Sequence, residues 1–212
     1  MKALPTLASW VLLLFPLLGG CSEVRNGHGA PADALTASLR VNGLAADASL
    51  LAPERRRRIQ RGDTASLPSQ ALAQYLPAAV AGFVSEGQPQ GDLVRIGGIN
   101  YSTCEQYYRR GSQQLKVQVV DYNGAMALYD GATALMSTEF LQESDEQFTR
   151  GFDLGVPGVR GFETVQKMER RASVALGVGE RFFVSVESTG QEDTKLVKDV
   201  ARTLDLRALA AL

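Results

Sequence analysis

The chain has 212 residues, 45% hydrophobic and 21% charged, with a net charge of −1. That suffices for one buried core, and it lacks the basic excess that phosphate neutralisation requires, so nucleic acid is not an expected partner. With one histidine (His28) and two cysteines (Cys21 and Cys104), the chain lacks the residues for a His-based nucleophile system or zinc site in its C-terminal part, so no metal and no cofactor are expected.

Lys2 precedes an apolar run from Ala8 to Leu18 that Pro16 interrupts. The run is shorter than the roughly 20 apolar residues of a membrane span and matches the core of a secretory signal, so residues 1–20 read as a signal peptide. Leu18-Gly19-Gly20-Cys21 resembles the lipobox of bacterial lipoproteins. The resemblance implies cleavage between Gly20 and Cys21, a diacylglyceryl group on the Cys21 thiol and acylation (palmitate-type) of the freed amine. The implied partner is the membrane, because two or three acyl chains hold firmly where one binds marginally. Ser22 after the cysteine, in place of Asp, implies the periplasmic face of the outer membrane if the cell is Gram-negative. The alternative is an ordinary cleaved signal with an incidental cysteine.

Residues 21–66 are rich in Ala, Gly, Asp and Pro and carry seven Arg against five acidic residues. This composition predicts a flexible tether spanning about 35–40 Å as a coil. Short helical turns near Leu35–Leu39 or Leu50–Ile59 are weakly marked. Arg55, Arg56, Arg57, Arg58 and Arg61 form a candidate contact with anionic headgroups, at about 1 kcal/mol per basic residue near the surface. The plainer reading is a solvated linker with incidental arginines.

The globular domain is expected over residues 67–212. Pro68 after Ser66 suits a short helix that stops at Pro77. Gly87, Pro89 and Gly91 predict a loop. Alternation in Ile99–Tyr108 and Leu115–Val119, around a turn at Arg109–Ser112, predicts a β-hairpin. Asn123 is placed as the N-cap of a helix whose buried stripe is Ala125, Leu128, Tyr129, Ala132, Leu135 and Met136. Residues 137–147 read as an acidic loop. Four strands follow within 146–188, punctuated by glycines. A terminal helix buries Leu196, Val197, Val200, Ala201 and Leu204, with Glu192 and Asp193 at its positive end. Consecutive strands with segregated helices predict an α+β fold with a mostly antiparallel sheet and flanking helices.

The stretches "YSTCEQYYRRGSQQLKVQVVDYNGAMAL", "GVGERFFVSVESTG" and "TLDLRALAAL" resemble a group of uncharacterised bacterial envelope proteins. The shared positions are structural and imply a fold without implying a reaction.

Cys104 is the one thiol left once Cys21 is lipidated. It reads as a half-buried cysteine packed in a sheet, with a reactive or disulfide-forming thiol near Arg109 and Arg110 as the alternative. Asp121, Asp130, Glu163 and Glu169 are the acids from which a glycosidase-type pair would be drawn. Tyr101, Tyr107, Tyr108, Tyr122 and Tyr129 concentrate in thirty residues; in a strand Tyr107 and Tyr108 must face opposite ways. The expected function is a non-enzymatic, membrane-anchored binding or assembly module for an envelope protein. The alternatives are a small-ligand-binding lipoprotein and a carboxylate-dependent cell-wall hydrolase.

Overall fold

The computed structural model describes residues 53–80 and 82–212. Cys21, the Gly20–Cys21 bond, His28 and the helical turn considered at Leu35–Leu39 lie outside the described residues. The described chain runs α1 (Pro53–Gln60), α2 (Ser69–Leu72, continued by a 3-10 turn at Ala73–Tyr75), β1 (Val84–Ile96), β2 (Ile99–Arg110), β3 (Gln113–Gly124) and α3 (Met126–Thr133). It continues through β4 (Leu141–Glu143), β5 (Gln147–Phe152), β6 (Val159–Gln166), β7 (Arg171–Val178), β8 (Phe182–Thr189), α4 (Lys195–Thr203) and α5 (Leu206–Ala210). The strands form one sheet in the order β1-β2-β3-β8-β7-β6-β5-β4, with every neighbouring pair antiparallel. The fold is α+β with an antiparallel sheet, as the pattern of strands and helices predicts.

Alternation decides which face each strand buries. Tyr108 on β2, Val117 on β3, Phe182 and Val186 on β8 and Val174 on β7 point to one face, where α4, α5 and the α2 segment cover them. Val197, Val200 and Ala201 of α4 close that core. The opposite face is covered at one end by α3 and the residues after it, where Tyr129, Thr133 and Met136 close over Gly177 of β7. The rest of that face is polar and half-exposed, carrying Glu105, Tyr107, Lys116 and Gln118.

Five local expectations change. The acidic loop expected at 137–147 contains β4, an exposed edge strand pairing Leu141–Glu143 with Phe148–Arg150, which needs no apolar alternation. Residues 87–91 are strand, because β1 is an edge strand: a register shift between Glu86 and Gln90 absorbs Pro89 where its missing N–H is tolerated. Asn123 is the penultimate residue of β3 and not an N-cap; Ala125 occupies that position. The buried stripe of α3 is Ala125, Tyr129, Thr133 and Met136, with Leu128 and Leu135 exposed. The helix ends at Thr133, so Leu135 no longer follows its period. The terminal helix breaks at Leu204, whose extended backbone lets Asp205 cap α5 by accepting from the Ala208 amide.

The larger correction concerns the expected tether. Residues from Pro53 onward belong to the folded unit: α1 and the segment 61–67 lie as a strap along one end of the sheet. Arg55 and Arg58, expected at a membrane surface, are buried there because the domain supplies acceptors: Asp130 receives both Arg55 Nη groups, and Asn123 with the Gly179 and Glu180 carbonyls receives Arg58.

Candidate functional site

The end of the sheet where β1 turns into β2 collects the features that sequence chemistry singled out. Ile96 pairs with Ile99 across a two-residue turn. Gly97 and Gly98 have φ of 56° and 81°, the geometry of a tight hairpin turn that favours Gly at both positions. The turn is unobstructed: a side chain built at either glycine would meet nothing within 4 Å. Ile96 is 71% exposed, and Leu93 and Ile99 are 42% exposed each.

The strap is fastened beside this turn. The Ser66 amide donates to Asn100 Oδ1 (2.8 Å), and the Leu67 amide donates to Asp121 Oδ2 (2.8 Å). Asp121 is fully buried and receives Arg181 Nε (2.9 Å) and Nη2 (2.7 Å) as a bidentate pair. Arg181 also donates to Asp63 Oδ2 of the strap (3.2 Å), and Asn123 donates to Asp63 Oδ1 (2.7 Å) and to the Ala65 carbonyl (3.0 Å). Arg58 donates to Asn123 Oδ1 (3.2 Å) and to the carbonyls of Gly179 (2.9 Å) and Glu180 (2.6 Å). Burial and then the neighbouring Arg181 charge hold the Arg58 guanidinium below its usual pKa. Arg55 pairs with Asp130 at 2.6 Å. A shallow concavity of about 440 Å³ lies between Ala65 of the strap and Arg95–Asn100 of the turn.

The arginines therefore divide. Arg55 and Arg58 are structural. Arg57, beside Glu54, and Arg61 are exposed, and Arg56 is half-buried. No pattern in the sequence separates the two groups. The only local signal is that Arg55 and Arg58 are three apart and so share a helix face.

The candidate catalytic acids are dispersed. Glu163 is buried on β6 and receives Arg150 Nε (2.5 Å), Lys198 Nζ (2.8 Å) and the Thr194 hydroxyl. Burial raises its pKa, but the three hydrogen bonds outweigh that and hold it below the ordinary value. Asp121 lies three strands across the sheet, roughly 14 Å at the usual strand spacing, and four residues further along it, since its row of ladder partners meets β6 at Val159. A glycosidase pair needs about 5 to 9.5 Å. Asp130 is held by Arg55, and Glu169 lies 3.6 Å from Arg171. Among the described residues, no three His, Cys, Asp or Glu side chains converge as metal ligands.

Cys104 is buried on the helix-covered face. Burial, then the Glu105 charge, push its thiol pKa up, away from a reactive thiolate. Tyr108 is buried and donates to the Pro77 carbonyl, while Tyr107 on the opposite face donates to Glu105. Burial pushes both hydroxyls up to about 12, with Glu105 adding to the effect at Tyr107. Tyr101, Tyr122 and Tyr129 form a row with ring centroids 5.8 and 6.5 Å apart, which ties the turn end of β2 to α3. A second concavity of about 270 Å³ sits beside the α4–α5 junction, with Arg202, Asp205 and Arg207 on its rim. No described helix is long and apolar enough to cross a membrane. No family model matches the chain, and no curated protein or solved structure matches it.

Proposed function

We propose that this protein is a lipid-anchored, non-enzymatic binding or assembly module of the bacterial cell envelope. It is attached through Cys21 to the periplasmic face of the outer membrane if the cell is Gram-negative. The lipobox-like Leu18–Cys21 supports the anchor. The observation that carries the non-enzymatic part is the dispersal of the acids: Asp121, Asp130 and Glu163 each sit in a separate ion pair that a structural role explains. What remains exposed is interaction surface, chiefly the long edge strand β1 and the polar half of the sheet face around Tyr107.

Intact-mass spectrometry of the full chain released from its own membranes tests the anchor. The expected mass lacks residues 1–20 and carries acyl groups on Cys21; an unmodified Cys21 overturns the anchor. A photo-crosslinker at Tyr107 tests the binding role in cells. A discrete protein adduct there, absent from the same probe at buried Tyr108, is expected. No adduct at any position along β1 or beside Tyr107 overturns it.

A further inference from the structure

The strap and the hairpin turn occupy the same end of the domain. The Ser66 amide bonds Asn100 at the base of the turn and Arg58 bonds the Gly179 and Glu180 carbonyls between β7 and β8, so the strap from Pro53 to Leu67 lies at the end where Ile96 and Ile99 protrude. Exposed aliphatic side chains at an unobstructed turn are costly in water and gain from an apolar phase. The exposed Arg95 lies one residue from Ile96, and Arg57 and Arg61 lie on the strap. Apolar tip residues beside the exposed Arg95, at the end that also carries Arg61 and the Glu54-paired Arg57 of the strap, match an anionic bilayer surface, with acyl chains below and phosphates at the level of the arginines.

We propose that the Gly97–Gly98 turn seats Ile96 and Ile99 in the interfacial zone of the bilayer, with Arg95, Arg57 and Arg61 on its headgroup phosphates. This rests on the anchor reading above and goes beyond it: the acyl groups hold the chain to the membrane, and the turn orients the domain against it. The opposite end, with the β6–β7 turn and 82% exposed Met168, then faces away. Edge strand β1 stands upright from the membrane and stays accessible to a partner.

The one tryptophan of the sequence, Trp10, lies in the segment removed when Cys21 is lipidated, so in the lipidated chain any new tryptophan is the sole reporter. The test uses the full lipidated chain in vesicles of phosphatidylethanolamine and phosphatidylglycerol with brominated acyl chains. Ile96→Trp is expected to shift to the blue and be quenched by bromine; Met168→Trp is expected to do neither. Adding Ile99→Ser to Ile96→Trp should weaken the quenching response roughly tenfold in lipid dependence, the scale of one buried Ile. Equal quenching at both positions, or none at Ile96 while the chain floats with the vesicles, overturns the docking and leaves the anchor intact. Failure to float overturns the anchor itself. A blue shift that follows protein concentration and ignores bromine places a second copy on the turn and overturns the proposal.

Discussion

At the scale of single residues, the buried charges decide stability. Asp121 and Arg181 are both almost fully buried, so Asp121→Asn strips compensation from a guanidinium that cannot reach water. A loss of about 3–5 kcal/mol is expected in urea unfolding. Arg181→Met added to Asp121→Asn should cost less than the sum of the two single changes, since the pair acts as a unit. Glu163 gives a pH signature. Its folded pKa lies below the unfolded value, so the stability it contributes is complete above the unfolded pKa, about 4.3. That contribution is lost as pH falls through the lower folded value. Glu163→Gln should flatten the decline of stability in that acidic window. Cys104, buried with a raised pKa, should resist a disulfide-exchange reagent until the protein unfolds. Rapid labelling of the native protein would reopen the reactive-thiol reading.

At the scale of elements, close approach sets what each segment tolerates. A Cβ on Gly151 of β5 would lie 1.6 Å from the Ser137 carbonyl oxygen, so the segment after α3 can cross the sheet only over a glycine. Gly151→Ala should destabilise by about 3 kcal/mol, the upper part of the overpacking range, as read by thermal unfolding. The elements legible in the sequence are those with a clean period. The β2–β3 hairpin alternates over most of its length and strands β6 and β8 alternate throughout, and Val197, Val200 and Ala201 recur at helical spacing. β1 was illegible for a physical reason. An edge strand exposed on both sides needs no apolar alternation, and its glycines and Pro89 read locally as a turn.

At the scale of the whole molecule, the strap makes the folded unit larger than the core alone. A chain that begins at Leu67 would lose Arg58 and Asp63, exposing Arg181 and leaving Asn123 without its strap partners. It should unfold at lower denaturant than a chain that begins at Ala46, by about 1.5–3 kcal/mol for each hydrogen bond to a charged group that is lost. Equal midpoints would mean that the strap is only draped on the domain.

Sequence alone was enough for the α+β class, the split of Tyr107 and Tyr108 to opposite faces, the placing of Cys104 within a sheet and the closing stripe of α4. Each follows from a pattern within a dozen residues, where backbone geometry dictates which side chains share a face. Tertiary structure decided the fate of the arginines and acids. Arg58 finds its carbonyl acceptors 121 and 122 residues later, and Asp63 meets Arg181 across 118. A charged side chain is buried only where distant groups satisfy it, and nothing in its own neighbourhood records that they will.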